Sequence, residues 1–323
     1  MPKQNHKTSV GGQALIEGVM MQGPKGVATA VRKTDGTILT EYHDVKHLRD
    51  KSKFWNIPII RGIVAFIESM ILGYKMLMYS AEASGMDDIE EEEMGKFDKW
   101  LSEKLGDKLM NVIMGIATVL GFALAFLIFF YLPVWLFSKL NTLSHMTLTP
   151  WQGTIEGCIK IVIFVVYMLL VSQMKDMKRL FKYHGAEHKS IACYESGQDL
   201  TVENVKKCTR FHPRCGTSFM FVMLLLSIIV VTLLSLVVPA ELKRNTVAWM
   251  CIKLPLIPII MGIGYEFIRY AGRHDNLLVK ILSAPGLWMQ RITTKEPDDD
   301  IIEVGIASLK AVITDNPEDD EIK

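Results

Sequence analysis

The hydrophobic residues of this chain are gathered into long uncharged stretches. Residues 109–138 and 215–240 contain no Asp, Glu, Lys or Arg, and each is long enough for a helix to cross the ~30 Å hydrocarbon core of a bilayer. Residues 161–174 and 254–265 are shorter, and each becomes long enough when a flanking lysine or glutamate reaches the interface. The pattern predicts an α-helical integral membrane protein with about four transmembrane helices.

A further apolar segment, residues 58–83, differs because a charge interrupts it at every seventh position. These charges are Arg61, Glu68, Lys75 and Glu82, and a spacing of seven keeps them on one narrow helical stripe. We interpret the segment as an interfacial amphipathic helix. The alternative, a fifth span, would place the basic N-terminal region on the outer side.

Polar patterning predicts a small β unit at the start of the chain and a helix near its end. The stretch "GVATAVRKTDGTILTEYHD" indicates two strands joined at Asp35-Gly36, a pair typical of type I′ hairpins. Pro297 and the acidic residues after it indicate the start of an amphipathic helix. The acidic run at residues 87–93 is typical of a solvated linker.

The distribution of basic residues predicts the orientation. The first 108 residues carry 15 Lys and Arg, residues 175–214 carry 9 and the tail from residue 266 carries 7, whereas residues 139–160 carry 2 and residues 239–253 carry 3. Because basic loops stay in the cytoplasm, we expect both termini to be cytoplasmic and the protein to lie in the cytoplasmic (inner) membrane. Trp135, Trp151 and Trp249 then fall at the outer interface.

These signals divide the chain into six segments. They are a small cytoplasmic β unit (1–54), an interfacial amphipathic helix with an acidic linker (55–108), transmembrane helices one and two (109–174), a cytoplasmic His/Cys segment (175–215), transmembrane helices three and four (216–270) and a cytoplasmic tail with an amphipathic helix (271–323). The net charge of +1 argues against sequence-specific nucleic-acid binding, which normally requires a basic excess.

The first candidate chemistry lies in "YHGAEHKSIACYE", which contains the pattern H-x-x-E-H. On a helix, His184 and His188 are four residues apart and project from one face, so both imidazoles can bind one zinc ion or another divalent transition metal. In this reversed zincin pattern Glu187 is the candidate catalytic base. The alternative is a polar helix face near the lipid headgroups.

A second cluster, "KCTRFHPRCG", adds Cys208, His212 and Cys215 as candidate metal ligands. Cytoplasmic thiols are kept reduced, so the cysteines are expected either to bind metal or to be buried as free thiols. Two His and two Cys would close a structural tetrahedral site, whereas three protein ligands would leave a position for water and permit catalysis. The sequence leaves this choice open. Glu195 and Glu203 are further possible ligands for which a solvated surface role is favoured.

Four motifs together resemble the YqhQ-like family, a bacterial membrane family of unknown function that carries the label of a predicted metal-dependent enzyme. They are the His/Glu/His helix above, "GGQALIEGVMMQGP", "LTVENVKKCTRFHPRCGTSF" and "ITTKEPDDDIIEVGIASLKAV". The resemblance spans almost the whole chain. It implies a metal-dependent enzyme, and the frequent location of the family's genes near translation factors implies a role close to protein synthesis or membrane insertion.

Two functions follow as expectations. The first is a zinc-dependent hydrolase at the inner membrane face, in which Glu187 is the base. The second is a non-enzymatic assembly or biogenesis factor with a structural zinc site, whose partner would be a membrane protein, the ribosome or the insertion machinery. A transporter ranks third, because the two longest spans carry no ionisable residue.

Overall fold

The computed structural model describes residues 7–45, 52–85, 112, 115–274, 276–314, 316 and 319–321. This part of the chain is mostly helical and begins with a four-stranded antiparallel sheet. The acidic run at residues 87–93 lies outside the described residues. The chain divides into two compact units, of which unit 1 comprises residues 1–86, 168–223 and 261–323, and unit 2 comprises residues 87–167 and 224–260.

The strands are β1 Gly11–Leu15, β2 Gly18–Gly23, β3 Gly26–Arg32 and β4 Ile38–His43. The helices are α1 Ile60–Ser84, α2 Gly115–Leu143, α3 Gln152–Val171, α4 Lys175–Glu195, α5 Val202–Lys207, α6 Gly216–Val237, α7 Ala240–Arg244, α8 Thr246–Lys253, α9 Leu256–Arg273, α10 Leu277–Thr293 and α11 Asp299–Val312.

Five helical segments in the described part of the chain are long and apolar enough to cross a membrane. They are Ile60–Ser84, Gly115–Leu143, Thr149–Val171, Phe219–Val237 and Thr246–Arg273. The last four overlap the four stretches predicted to span. The first is α1, which the sequence assigned to the interface and which meets the same criteria of length and composition. These helices indicate a multi-pass membrane protein.

The N-terminal sheet has the strand order β1-β2-β3-β4 and is larger than the predicted pair of strands. The predicted hairpin is present between β3 and β4, but its turn is longer than the two-residue type I′ turn, since the Lys33 N–H donates to the Thr37 carbonyl. The missed hairpin joins β1 to β2 through Ile16 and Glu17. Its second strand is buried on both faces and therefore lacks the alternation that reveals a strand.

Unit 1 places helices on both faces of this sheet. Helices α4 and α11 cover one face, where Tyr183 and Leu309 are buried with Val19 and Met21. Helix α1 covers the other face, where Met76 packs with Leu15, Met20 and Val27. Helix α11 begins after Pro297 as predicted, with Asp299 and Asp300 in its first turn, where negative charge favours the helix dipole. Burial of these faces fixes α4, the helix that carries the His/Glu/His motif.

Unit 2 contains a buried polar cluster that the sequence did not reveal. The Glu156 carboxylate is buried, accepts hydrogen bonds from the Gln152 amide and the Trp249 indole, and pairs with Lys253 at 2.7 Å. Trp249, expected at the outer interface, is fully buried, because its indole N–H has this carboxylate as a partner. Close packing of α3 on α6 depends on Gly153, where a β-carbon would lie 2.6 Å from the Thr232 backbone.

Candidate metal centre

Helix α4 and the loop that ends just before α6 bring three potential metal-ligating side chains together. The ligand atoms of His184, His188 and Cys215 all lie within 4.8 Å of one another. The two imidazole ring centroids are 4.4 Å apart, as expected for positions i and i+4 of one helix. His184 Nε2 lies 3.2 Å from Cys215 Sγ. In a tetrahedral zinc site with Zn–N of about 2.0 Å and Zn–S of about 2.3 Å, nitrogen and sulfur are roughly 3.5 Å apart. The observed spacing is therefore close to that of a ligand pair.

Backbone carbonyls orient both imidazoles. His184 Nδ1 lies 2.8 Å from the Thr293 carbonyl oxygen, and His188 Nδ1 lies 2.6 Å from the Arg210 carbonyl oxygen. A carbonyl oxygen only accepts, so Nδ1 carries the proton in both rings and each Nε2 has a free lone pair when the ring is neutral. This is the tautomer that binds a metal through Nε2, and carbonyl partners of this kind are usual for metal-ligating histidines.

The electrostatics of the site favour a thiolate. Burial opposes ionisation of the Cys215 thiol, but the two imidazoles, when protonated, outweigh burial and hold its pKa well below the usual range. Burial likewise opposes protonation of His184, while the Cys215 thiolate, its hydrogen bond and Glu187 together raise the pKa of His184 to about 9. Without metal, a proton on His184 balances the thiolate. A divalent cation would take the place of this proton, because thiolate and neutral imidazole are the ligand forms that zinc binds.

Glu187 lies on the same helix beside these side chains and is 5 % exposed. The Gly12 N–H of β1 donates to its carboxylate, yet Oε2 has no hydrogen-bond partner among the described residues. Burial raises the pKa of this carboxyl group above its usual value, although both histidines oppose the shift. A buried carboxylate oxygen without a partner is costly. This oxygen lies next to three potential ligand atoms, and a water or substrate bound to a metal ion there would give it a hydrogen-bond partner. The residues therefore fit a metal ion.

Two glycines in the recognised motifs permit the close approaches that build the site. The segment after α10 runs along α4, where the Lys295 N–H donates to the Phe181 carbonyl, and a β-carbon at Gly185 would overlap the Lys295 carbonyl oxygen. At Gly12 a β-carbon would lie 2.6 Å from the Met20 carbonyl oxygen and 3.1 Å from Glu187 Cδ. Any side chain at these positions would push Thr293 or β1 away from the site.

The structure does not bring Cys208 to the three ligand atoms. This thiol lies in a separate apolar cluster with Cys193, Val205, Ile302 and Ile306. It donates to the Asn204 carbonyl, and burial raises its pKa, so it is expected to remain a neutral thiol. Cys208 was predicted from its spacing to Cys215, but helix α5 turns its side chain into the core beneath α11.

His212 lies beside the ligand group rather than within it. Its ring centroid is 5.6 Å from that of His188, and the Arg214 guanidinium lies 3.2 Å from its Nε2. Burial lowers the pKa of His212. Its backbone is held at both ends by the Gln290 side chain, whose oxygen accepts from the His212 N–H at 2.8 Å and whose amide donates to the His212 carbonyl at 2.7 Å. Gln290 thereby fixes the loop that delivers Cys215.

Glu195 has a larger role than the sequence suggested. It is fully buried, accepts the Thr8 N–H at 2.9 Å and pairs with Arg214. Burial alone would raise its pKa, but His212 and Arg214 lower the pKa to about 2. The carboxylate joins the N-terminal segment to the loop before α6. Its spacing offered a signal, because Glu195 is seven residues after His188 and thus on the same helical face.

Comparisons with known proteins place the chain in a family. The family described as "Protein of unknown function (DUF1385)" matches residues 57–315. The Bacillus subtilis (strain 168) protein described as "Uncharacterized protein YqhQ" is 36% identical over 316 residues, which cover 97% of this chain and 95% of that protein. No solved structure matches. The chain belongs to the YqhQ-like, DUF1385 family of proteins of unknown function.

Proposed function

We propose that this protein is a zinc-dependent hydrolase whose active site lies at the cytoplasmic surface of the inner membrane. His184, His188 and Cys215 would hold the metal and Glu187 would act as general base. The observation that carries the proposal is the buried Glu187 oxygen without a partner among the described residues, adjacent to three ligand atoms within 4.8 Å of one another. Zinc with three protein ligands has a further position for water and lowers the pKa of that water to about 7.

The contacts of Glu187 support its assignment as the base. The Gly12 N–H fixes one end of the carboxylate, which leaves Oε2 to accept a proton from water and to return it to the leaving group. Because burial raises the pKa of this carboxyl group, it is a stronger base than an exposed glutamate, as general-base catalysis near neutral pH requires. The placement of Cys208 in an apolar cluster supports an open site with three protein ligands.

The direct test is elemental analysis of protein purified in detergent without chelator. We expect one zinc ion per chain and hydrolysis of a labelled polypeptide that stops when a chelator removes the zinc. Metal-free protein that fails to take up added zinc would rule out the proposal.

One observation favours the non-enzymatic alternative. The site joins three separate parts of unit 1, namely α4, the loop ending at Cys215 and the end of α10 at Thr293. A zinc ion there would also stabilise the fold, as in a protein that assembles with other membrane proteins, the ribosome or the insertion machinery. Under this alternative Glu187→Gln would leave the function intact.

The packing of unit 1 supports the proposed topology of four spans with both termini in the cytoplasm. The sheet, α4 and α11 share one hydrophobic core, so they lie on the same side of the membrane. The chain between the sheet and α4 must then cross the membrane an even number of times. Three candidate spans lie in that interval, so one of them does not cross. Two candidates lie between α4 and α11, which already satisfies the requirement.

Helix α1 is the candidate that we infer does not cross. It has the lowest mean hydropathy of the five and the largest buried share. Its first turn contacts the second half of α9, where Arg61 pairs with Glu266. Its own second half packs on the sheet, where Ser80 Oγ accepts the Ile16 N–H. Both halves of α1 thus contact other elements of unit 1, as expected for a helix that lies along the membrane surface. Exposed Ile67, Met70 and Ile71 would face the lipid.

This topology predicts the result of labelling single cysteines with a membrane-impermeant maleimide in cells whose inner membrane faces the reagent. In a background with Cys158→Ala and Cys251→Ala, we expect Thr147→Cys, between α2 and α3, to react from outside. Lys53→Cys and Glu82→Cys, at the two ends of α1, should react only after the membrane is permeabilised. Reaction of only one α1 end from outside would show that α1 is a fifth span.

A further inference from the structure

Strand β1 forms one edge of the sheet and lies next to the candidate metal centre. In β1, Gly11, Gln13 and Leu15 pair with β2 across a two-residue hairpin, so the N–H and C=O groups of the alternate residues point away from the sheet. Two of these outward N–H groups have partners. Gly12 donates to Glu187 and Ile16 donates to Ser80 Oγ at 3.2 Å. Between them, the outward backbone groups of Ala14 have no hydrogen-bond partner among the described residues.

This edge lies between two helices. Helix α4 contacts β1 on the side of Glu187, and α1 contacts it on the other side, where the Gln13 side chain approaches the Gly73 carbonyl. Gly11 and Gly12 are exposed, and a β-carbon at Gly11 would meet no atom within 4 Å. The absence of side chains leaves space for another backbone to approach β1 at hydrogen-bonding distance.

We infer that an extended polypeptide segment binds here as an additional strand on β1, which carries its backbone to Glu187 and the metal centre. The inference rests on the proposed hydrolase and names its substrate class as a peptide in extended conformation. The row of alternating donors and acceptors matches any polypeptide backbone, which is the basis of strand addition at exposed edges. The outward carbonyl of Gly12 and the outward N–H and carbonyl of Ala14 bind the substrate backbone, and the carboxylate that accepts the Gly12 N–H is also the candidate base.

The charges near the site favour a peptide over a phosphorylated lipid. Lys189 and Arg210, two cations close to the His/Cys group, are both paired with Glu296 at 2.7 and 3.0 Å. Arg214 is paired with Glu195. These cations are therefore engaged by carboxylates, whereas a phosphate would need cations that are available to it. Glu187 itself would repel an anionic headgroup.

The test uses zinc-loaded full-length protein in detergent, with Glu187→Gln to prevent turnover and fluorescein-labelled β-casein as the extended polypeptide. Ala14→Pro removes the outward N–H but leaves the β1–β2 ladder intact. We expect it to weaken casein binding about tenfold, the effect of losing one or two backbone hydrogen bonds, with zinc content unchanged. Thr40→Pro is the matched control, since it removes an outward N–H from β4, the opposite edge strand, and should bind casein like the parent.

A second measurement does not depend on the proline variant folding. Photoreactive benzoylphenylalanine encoded in place of Gly11 should crosslink casein, while the same group in place of Thr40 should not. Equal crosslinking at both positions, equal binding by Ala14→Pro, or no casein binding by the zinc-loaded protein would overturn the inference. In the last case bound zinc at His184, His188 and Cys215 would still support the metal centre. If the parent protein did not bind zinc, the proposed hydrolase activity would be ruled out. Crosslinking of casein at position 11 would still support strand addition on β1.

Discussion

Protein carrying His188→Ala should purify with less than about a tenth of the parent's zinc, since loss of one of three ligands weakens binding by more than the 10–100-fold typical of outer-shell changes. The variant loses an Nε2 held toward Cys215 and leaves the Arg210 carbonyl without its partner. Metal analysis by mass spectrometry measures the effect directly. Added zinc should raise the thermal unfolding temperature of the parent, because a ligand that binds only the folded state stabilises it, and should leave that of the variant unchanged.

Two matched controls make this result specific. His274→Ala removes an exposed histidine at the end of α9 and should retain full zinc. Cys215→Ser should lose zinc, whereas Cys208→Ser should keep it while lowering stability, because Cys208 is packed in an apolar cluster. Equal loss of zinc from both cysteine variants would contradict the three-ligand site and favour the closed structural site.

Glu187→Gln should reduce the rate of peptide hydrolysis by about 10²–10⁴-fold, the usual contribution of a general base, without reducing the zinc content. The amide oxygen can still accept the Gly12 N–H, so the local packing of β1 against α4 is maintained. The amide lacks the basicity of the carboxylate, so proton transfer at Oε2 is lost. The measurement is the rate of release of fluorescent fragments from labelled casein, with zinc determined on the same sample.

Glu203→Gln is the control for this substitution, because Glu203 is an exposed acidic residue on α5. It should hydrolyse casein at the parent's rate. If Glu187→Gln retained full activity with bound zinc, Glu187 would not be the base. If it lost zinc as well as activity, the carboxylate would be part of the ligand set.

The candidate metal centre was partly predictable because its strongest signal is local. His184 and His188 share a helical face at a spacing of four residues, and helix geometry alone brings their rings together. Cys215 was one of several candidates that spacing could not separate. Only the fold decided between them. Helix α5 directs Cys208 into the core with Ile302. The Gln290 side chain holds the backbone of His212, and the loop then places Cys215 beside His184.

The same limit applies to the N-terminal sheet. The strands on either side of Asp35-Gly36 were predicted from that turn signal, whereas β2 is buried between α1 and α4 and shows no alternation. The contact of Gly12 with Glu187 joins residues 175 positions apart in sequence, and no pattern within either segment encodes it. For the same reason the burial of Glu195 and Trp249 was not foreseen.

The sequence by itself determined that the chain is mostly helical and where its long apolar stretches lie. It also determined which helix carries two imidazoles and a carboxylate on one face, because hydrophobicity and helical period act over a few turns. The tertiary structure decided which cysteine joins the histidines, which strand borders the glutamate and that the sheet, α4 and α11 share one core. These contacts join surfaces that are far apart in sequence. They form only when the folded chain buries those surfaces against each other.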